Sequence, residues 1–303
     1  MRRVAVYGKN VNKEFYSYLK TLLNELVKKG VWLMGEEGFV DLLEREFDCR
    51  DFFQDTFSKK SLKFKEVDLL LSIGGDGTFL DTLLYVGNSE IPVLGINSGH
   101  LGFLANVSVS EINLAVDYIC SGHYEIEQRS LVRLQVEGSG FLGFDYGLNE
   151  VSIQKTEHSS LLRIHAYVDD IYLTTYWADG LIIATPTGST AYSLSGGGPI
   201  ISPECRAIVL TPVCPHNLSM RSLVIPDTAV LRLEVEGRSG EFLLSLDSRT
   251  ERVKDNCSIR VIAGDFRMNI IKFPGHNYYE TLRNKLGWGE DKRNEKDRKL
   301  CLS

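Results

Sequence analysis

The sequence predicts an α/β domain with a parallel sheet, then an all-β domain of two packed sheets, and a final helix that folds back on the first domain. Three observations support this fold class. In residues 1–118, short apolar runs alternate with segments of helical periodicity. From residue 119, short runs rich in Val, Ile, Leu and Tyr are separated by turn residues. Residues 278–286 then return to helical spacing.

Length and composition limit the possible functions. The chain has 303 residues, 43% of them hydrophobic, which is enough for two cores. Its net charge of -6 argues against a nucleic-acid partner, because such proteins usually present a basic face. Six cysteines without a Cys-x-x-Cys pair favour reduced thiols in a cytoplasmic protein. No apolar stretch reaches membrane-spanning length, so we expect no membrane attachment.

The elements of the first domain follow in chain order. An amphipathic helix is predicted over residues 15–27, because apolar residues recur there at helical spacing, and Gly30 follows as a stop signal. Another helix is predicted after Thr78. The predicted strands are residues 3–7, 31–34, 67–73 and 91–96. Strands that alternate with helices indicate a Rossmann-like sheet, which binds ligands beyond the carboxyl ends of its strands.

The second domain is predicted to cover residues 119–276. Its strands are expected at residues 129–137, 161–169, 171–177, 180–185, 229–236, 241–246 and 257–264. Residues 277–289 are expected to pack back on the first domain. Residues 290–303 alternate charge signs without apolar spacing, which predicts a solvated tail.

The most informative segment lies where the third predicted strand of the first domain ends. Gly74 and Gly75 stop the apolar run, and Asp76 sits between Gly75 and Gly77. Glycines permit positive φ or a close backbone approach, and free amides at a strand end suit a phosphate. A carboxylate there can accept a proton from a hydroxyl or help to hold a metal ion. The alternative is a tight turn with an acidic residue near a helix start.

A second group of polar residues follows a predicted strand of the second domain. The stretch 179–200 carries several hydroxyls, an aromatic ring and a triple glycine, and could hydrogen-bond a sugar, an amide or a phosphate. Upstream, Asn149 and Glu150 stand side by side between apolar residues. Adjacent strand residues face opposite ways, so both can serve one ligand only at a bulge or turn. The alternative for 179–200 is a surface loop rich in serine and threonine.

Together these blocks resemble the NAD kinase family, which phosphorylates the 2′-hydroxyl of the adenosine ribose of NAD to make NADP. The matching motifs are Gly74–Thr78, Asn97–Phe103, Asn149–Glu150, the 179–200 stretch, and Pro215–Leu218 with Arg221. Diacylglycerol and sphingosine kinases and phosphofructokinases look similar at the first motif. They lack the Asn149–Glu150 pair in combination with the 185–192 loop.

The resemblance implies roles for individual residues. Asp76 would activate the ribose hydroxyl, and Gly74, Gly75 and Thr78 would receive the ATP phosphates. Phe103 would pack against the adenine, and Asp179 would reach the other end of the dinucleotide from a neighbouring subunit. The implied NAD-binding residues are Asp76, Gly77, Phe103, Asn149, Glu150, Asp179, Thr187, Thr190, Ala191, Tyr192, Ser193, Leu194 and Ser195.

The resemblance also implies cofactors and partners. The expected donor is ATP, with inorganic polyphosphate as an alternative that no residue decides. Mg²⁺ or another divalent metal would be held through the substrate phosphates, so no protein ligand is assigned. The expected assembly is a homodimer or homotetramer with shared sites. The choice between NAD and NADH stays open.

The sequence departs from the family pattern at charged positions. Asp81 and Trp177 stand where many members carry cations, so other groups must neutralise the phosphates. The candidates are Lys9, Arg163 and Arg221. Near the end, Asp247 keeps a carboxylate where Asp-Gly-Gln is frequent, and Arg249 follows as a possible charge.

Two other functions compete with NAD phosphorylation. A lipid kinase of the diacylglycerol group would need a deep apolar slot, and the 179–195 loop is too polar to suggest one. A non-catalytic sensor of NADP would not need Asp76.

Overall fold

The computed structural model describes residues 2–47, 50–62, 66–99, 102–137, 143–156, 161–255 and 257–289. The predicted tail, residues 290–303, lies outside the described residues. The chain divides into two compact units. The first contains the residues up to Thr82, Ile91–Glu127 and the residues from Ile270 on. The second contains Leu83–Glu90 and Gln128–Asn269.

The secondary structure alternates in the first part of the chain and is almost entirely β in the second. The strands are β1 (Arg3–Gly8), β2 (Trp32–Glu36), β3 (Asp55–Phe57), β4 (Leu69–Gly74), β5 (Val93–Asn97), β6 (Glu125–Arg129), β7 (Val132–Val136), β8 (Tyr146–Gly147), β9 (Glu150–Lys155), β10 (Leu162–Val168), β11 (Ile171–Ala178), β12 (Gly180–Ala184), β13 (Ala207–Val213), β14 (Leu223–Pro226), β15 (Leu231–Glu236), β16 (Glu241–Leu246), β17 (Arg249–Lys254), β18 (Ser258–Ala263) and β19 (Met268–Lys272). The helices are α1 (Lys13–Lys28), α2 (Glu37–Phe47), α3 (Asp76–Asp81), α4 (Leu83–Val86), α5 (Ile112–Ser121), α6 (Tyr192–Ser195) and α7 (Tyr278–Leu286).

A seven-stranded sheet forms the centre of the first unit; a parallel sheet was predicted with four of these strands, and β3, β6 and β19 were not. Its order is β3-β2-β1-β4-β5-β19-β6, and the neighbouring strands from β3 to β19 are parallel. The chain moves outward from β1 to β3 and then returns beside β1 with β4. Such a reversal of strand order is where open α/β sheets bind ligands. Gly8 pairs with Ile73, and Gly74 pairs with Asn97, so the ends of β1, β4 and β5 lie nearly level.

The helix α1 covers one side of this sheet with a regular apolar face. Phe15, Leu19, Leu22, Leu23 and Leu26 are all buried and recur at the spacing of an amphipathic helix. The side chain of Asn12 caps the helix by accepting a hydrogen bond from the amide of Phe15. The predicted helix was therefore correct, and the cap adds two residues at its start.

Two helices of the first unit were not predicted. The helix α2 begins within a Gly-Glu-Glu-Gly sequence that is typical of a loop, yet it buries Phe39, Val40 and Leu43. The helix α5 is short and begins after a capping box formed by Ser108 and Glu111. The helix predicted after Thr78 is instead two short helices, α3 and α4, and α3 begins at Asp76.

Two six-stranded antiparallel sheets form the second unit, as the predicted all-β domain requires. Their orders are β11-β10-β15-β18-β7-β8 and β14-β13-β12-β9-β16-β17. Residues alternate between buried and more exposed positions along β15 and β16, and the buried ones from both sheets form one core. The strands β8, β9, β13, β14 and β17 were not predicted, because β8 has only two residues and polar residues or prolines interrupt the apolar pattern of the others.

The main boundaries between the units fall at residues 127/128 and 269/270, where 118/119 and 276/277 were expected, and Leu83–Glu90 also groups with the second unit. The difference arises because β6 and β19 extend the first sheet. The final helix α7 has the predicted bounds, is capped by Asn277 and belongs to the first unit. No helix within the described ranges is both long and apolar enough to cross a membrane.

Candidate functional site

The carboxylate of Asp76 holds a turn of the first unit by its backbone. Its Oδ2 accepts a hydrogen bond from the amide of Phe103 at 2.8 Å. Its Oδ1 accepts from the amides of Leu104 at 3.0 Å and Ala105 at 2.9 Å. We call residues 102–105 with these three bonds the Asp76 clamp. It brings together Asp76 and Phe103, which the sequence had singled out separately.

The clamp requires glycine at position 102. A Cβ on Gly102 would lie 1.9 Å from Oδ1 of Asp76, which is far inside contact distance. Gly95 is similarly constrained, since its Cβ would lie 2.6 Å from Cα of Ala105. The turn therefore packs its backbone directly against the carboxylate on one side and the sheet on the other.

The glycines on either side of Asp76 have different surroundings. Gly74 has a φ of +153°, and its Cβ would lie 2.5 Å from Oγ1 of Thr78. A side chain at position 74 is therefore excluded by both conformation and space. Gly75 and Gly77 are exposed, and a Cβ on either would meet nothing within 4 Å. Their lack of side chains leaves the surface around Asp76 open.

A second carboxylate in α3 carries an ion pair. Asp81 is only 7% exposed, and its Oδ2 pairs with the ammonium group of Lys9 and accepts a hydrogen bond from the hydroxyl of Tyr7 at 3.5 Å. Lys9 directly follows β1 and its side chain is 53% exposed. The pair therefore joins the end of β1 to the end of α3 at the point where the strand order reverses.

In the second unit, Asp247 binds three consecutive amides in the same way. Its Oδ2 accepts from the amide of Leu148 at 2.8 Å, and its Oδ1 accepts from those of Asn149 at 2.8 Å and Glu150 at 3.1 Å. Asp247 itself has a φ of +51°, a conformation that is uncommon for a residue with a side chain. We call residues 148–150 with these three bonds the Asp247 clamp.

Burial around the Asp247 clamp changes the protonation of both carboxyl groups. Loss of solvation and the nearby negative charge of Asp247 raise the pKa of Glu150 to about 8. Loss of solvation also raises the pKa of Asp247, although its three amide donors act in the opposite direction. Glu150 is therefore mostly protonated at neutral pH. Within the part of the chain that the structure describes, Oε2 of Glu150 and Oδ1 of Asn149 are buried without a hydrogen-bond partner.

The loop after β12 is attached to the Asp247 clamp. The hydroxyl of Thr185 donates to the carbonyl of Leu148 at 2.6 Å, and the amide of Thr185 donates to the carbonyl of Asn149 at 2.8 Å. A Cβ on Gly188 would lie 2.2 Å from the carbonyl oxygen of Asn149. The two motifs that were predicted to share a ligand are therefore in direct contact.

Several hydroxyls of this loop are used inside the unit. Ser193 is fully buried, and its Oγ lies 2.8 Å from Oγ1 of Thr211. Ser189 donates to the carbonyl of Pro186 at 2.6 Å and accepts from the amide of Ile201 at 2.9 Å. These serine side chains stabilise the loop. In contrast, Thr190, Ala191 and Leu194 are partly exposed, and Tyr192 and Ser195 are exposed.

Asp179 and Tyr192 lie at the other end of β9 and β12. Asp179 pairs with Lys155 at 2.7 Å, and Gln154 donates to the hydroxyl of Tyr192 at 2.8 Å. Gln154 pairs with Gly180 across the sheet, whereas Glu150 pairs with Ala184. Four residues of strand correspond to roughly 13 Å, so the NAD-binding residues predicted in this unit form two groups along β9 and β12.

A buried arginine near the loop was missed from the sequence. Arg129 is 8% exposed, and its guanidinium donates to the hydroxyl of Thr187 at 3.4 Å. It lies in a run of alternating polar residues, Glu125–Arg129, whose pattern gives no sign of burial. The only sequence feature that marks this arginine is its position at the end of the charged run Glu-Ile-Glu-Gln-Arg, directly before an apolar strand.

The cations proposed from the sequence have distinct surroundings. Arg163 pairs with Glu236 and lies over the ring of Trp177 with 5.5 Å to its centroid. Arg221 donates to the backbone carbonyls of Leu218 and Met220, and is exposed. Of these three candidates, Lys9 alone lies at the strand ends of the first sheet.

Arg249 has a structural role. Its guanidinium donates to the carbonyls of Phe144 and Tyr146, and it lies over the ring of Phe144. It also lowers the pKa of Asp247 slightly against the effect of burial.

The described residues contain no group of three or more His, Cys, Asp or Glu side chains that could hold a metal ion. Mg²⁺ commonly binds through one or two carboxylates together with substrate phosphates. The partly exposed carboxylate of Asp76 beside open glycines fits that mode of binding.

Comparisons with known proteins agree on one family. Residues 5–124 match the model of the ATP-NAD kinase N-terminal domain, and residues 148–273 match that of the ATP-NAD kinase C-terminal domain. An NAD kinase from Cytophaga hutchinsonii is 41% identical over 96% of this chain and 99% of its own length. An NAD kinase from Porphyromonas gingivalis is 42% identical over 95% of this chain and 99% of its own.

Solved structures support the same fold. Yeast NADH kinase in complex with NADH superimposes with a TM-score of 0.83 and 25% identity, over 96% of this chain and 89% of that one. An NAD kinase from Archaeoglobus fulgidus in complex with ATP has the same fold, with a TM-score of 0.71 and 21% identity over 93% of this chain and 98% of that one.

Proposed function

The chain belongs to the NAD kinase family, and from this premise we propose how its residues serve the two substrates. It transfers the terminal phosphoryl group of ATP to the 2′-hydroxyl of the adenosine ribose of NAD and gives NADP. The main support for this activity is that both family models match in chain order and cover the Gly74–Thr78 and Asn149–Ser195 motifs. The lipid kinase and the non-catalytic sensor are not favoured by any of these similarities.

We propose that Asp76 accepts the proton of the ribose hydroxyl. It lies just past the carboxyl end of β4 between two exposed glycines, where a substrate oxygen can approach. Three amide bonds use three of roughly four acceptor positions of a carboxylate, so capacity remains for a hydroxyl. General-base action of this kind contributes about 10²–10⁴-fold to a rate.

In the second unit, the Asp247 clamp and the loop after β12 would supply the groups that receive NAD. The buried oxygens of Asn149 and Glu150 would meet polar groups of the adenosine, together with Thr187, Thr190, Ala191 and Tyr192. Glu150 in its protonated form can also donate a hydrogen bond. Because the hydroxyl of Ser193 is bonded to Thr211, we propose that Ser193 and Leu194 contribute through their backbone. Phe103 would pack on the adenine.

The other end of the dinucleotide would lie near Asp179, supplied by a neighbouring subunit. The edge strand β11 supports such an assembly, because it exposes Ile171 (73%), Tyr172 (56%) and Trp177 (50%). A homodimer or homotetramer would cover these side chains. Light scattering at defined concentrations would measure the mass, and a monomer at micromolar concentration would contradict the proposal.

On the donor side, Gly74, Gly75 and Thr78 would face the ATP phosphates, with Lys9 as the nearest proposed cation. Mg²⁺ would enter with the phosphates and would supply charge neutralisation at the transferred group. Inorganic polyphosphate remains an alternative donor to be tested beside ATP. A cytoplasmic location is proposed from the cysteines, since Cys120, Cys205, Cys214 and Cys257 are all free.

The test of the function is direct. The purified full chain is incubated with NAD, ATP and Mg²⁺, and NADP is detected with an NADP-specific dehydrogenase. Steady formation of NADP supports the proposal, while phosphorylation of diacylglycerol in vesicles would favour the lipid kinase. Tight NADP binding without turnover would favour the sensor. Replacing ATP by polyphosphate, NAD by NADH and Mg²⁺ by a chelator decides the remaining choices.

A further inference from the structure

We infer that Asp76 is also a positioning residue, which sets the affinity for NAD by holding the turn that carries Phe103. This inference deepens the proposed function and rests on it only for the identity of the ligand. It concerns an effect of the carboxylate on the protein backbone, separate from any transfer of a proton.

The number and geometry of the hydrogen bonds to Asp76 support the inference. All three donors of the Asp76 clamp are consecutive amides at 2.8–3.0 Å, and both carboxylate oxygens take part. Hydrogen bonds to a charged acceptor are stronger than those between neutral groups. Leu104 and Ala105 are buried, so without Asp76 their amides would have little access to water as a replacement.

The packing around the turn fixes its backbone on both sides of Phe103. Gly102 lies against Oδ1 of Asp76, and the Cα of Ala105 lies against Gly95 of β5. The turn is also joined to the end of β5, where the side chain of Asn97 donates to the carbonyl of Ala105 at 3.2 Å. Phe103, between these fixed points, is the partly exposed residue of the clamp. Its ring orientation therefore depends on the carboxylate.

An asparagine at position 76 cannot reproduce the clamp. If its oxygen keeps the amides of Leu104 and Ala105, its NH₂ group must face the amide of Phe103, and two donors then oppose each other. Loss of activity in Asp76→Asn alone would consequently mix a chemical effect with displacement of the turn. A second variant, Gly102→Ala, separates them, because it keeps the carboxylate and forces the turn away from it.

The experiment uses the full chain and two measurements that need no turnover. Calorimetric titration gives the dissociation constant of NAD, and hydrogen exchange followed by NMR or mass spectrometry gives the protection of the amides of residues 103–105. We expect about a tenfold or larger increase in both the dissociation constant and the exchange rate for Asp76→Asn and for Gly102→Ala. The matched control is Gly99→Ala, whose added Cβ meets nothing within 4 Å and which should leave exchange at 103–105 unchanged.

Two results would overturn the inference. One is Asp76→Asn with normal exchange and normal NAD affinity and only a reduced kcat, which would assign the residue to chemistry alone. The other is Gly102→Ala with wild-type NAD affinity, which would show that the turn does not act on the ligand. If the wild-type chain failed to phosphorylate NAD, the proposed function would fail, while the exchange measurement would still decide whether the clamp exists.

Discussion

The two units of this protein use the same device in different surroundings. In each, one carboxylate accepts hydrogen bonds from three consecutive backbone amides, Asp76 from residues 103–105 and Asp247 from residues 148–150. Asp76 lies between exposed glycines, whereas Asp247 sits beside Glu150 where burial raises the pKa of both groups. The comparison teaches that a clamp alone does not indicate a catalytic carboxylate. The open surface beside Asp76 is what supports the catalytic role proposed for it.

The largest expected effect is on turnover. Replacing Asp76 by asparagine should lower kcat about 10²–10⁴-fold, because the acceptor for the hydroxyl proton is lost. Steady-state kinetics with saturating NAD and ATP measure this change. The control is Asp68→Asn, an exposed aspartate just before the same strand, which should keep its kcat. Near-full turnover in folded Asp76→Asn would contradict the proposal that Asp76, unlike Asp247, is a catalytic carboxylate.

The next effect is on stability, and it should be larger for Asp247. Asp247→Ala leaves the amides of Leu148, Asn149 and Glu150, two of which belong to buried residues, without their acceptor. At about 1–3 kcal/mol for each unsatisfied buried group, we expect a loss of about 3 kcal/mol or more in the free energy of unfolding. Asp76→Ala should lose less, because the exposed Gly75 and Gly77 beside it give water better access to the freed amides. Urea denaturation of both variants measures the difference, and equal losses would contradict the contrast between the two clamps.

A pH dependence should follow from the raised pKa of Glu150. The folded state keeps this proton up to pH of about 8, whereas the unfolded state releases it near the ordinary pKa of 4.5. Between these values the folded state binds more protons, so stability should fall as pH rises, by up to about 1.4 kcal/mol per pH unit.

The variant Glu150→Gln should flatten the fall of stability with pH, because a glutamine side chain titrates in neither the folded nor the unfolded state. Thermal or urea unfolding between pH 5 and 8 would show the change relative to wild type. Glu204→Gln, an exposed carboxylate in the same unit, is the matched control and should retain the wild-type slope. A slope that persists in Glu150→Gln would mean that other groups cause it, and would remove the electrostatic contrast between the clamps.

The smallest effect is expected for the proposed donor-side cation. The double variant Lys9→Met with Asp81→Asn removes the charge of Lys9 without leaving a buried carboxylate unpaired. We expect KM for ATP to rise about fivefold, as for a partly exposed charge, with KM for NAD nearly unchanged. The matched control is Arg163→Met in the second unit, which should leave KM for ATP unchanged. A rise in KM for NAD instead would contradict the assignment of Lys9 to the donor.

The sequence predicted those parts of the protein that depend on local patterns. The helices α1 and α7, the strand before Gly74, and the alternation along β15 and β16 have regular periodicity and were found. The helix α2 was missed because the Gly-Glu-Glu-Gly sequence at its start is typical of a loop, and the strand β9 was missed because polar residues interrupt its apolar pattern. Tertiary packing decides such segments more than local propensity does.

The candidate site was predictable in its residues but not in its contacts. Asp76 and Phe103 were singled out separately, and nothing in the sequence indicated that one binds the backbone of the other. Backbone amides carry no residue signature, so a carboxylate clamp between segments 27–29 positions apart, or 97–99 positions apart, cannot be recognised from composition. The resemblance implied Ser193 as an NAD-binding residue, and nothing in the sequence indicated that its hydroxyl lies 2.8 Å from that of Thr211.

The hydroxyls of the loop after β12 have one more consequence. Thr185, Ser189 and Ser193 tie the loop to its own unit through interior hydrogen bonds, so its shape exists before any dinucleotide arrives. A preorganised receptor segment loses little conformational entropy on association. If this loop receives the dinucleotide as proposed, binding would therefore need little rearrangement of the loop itself.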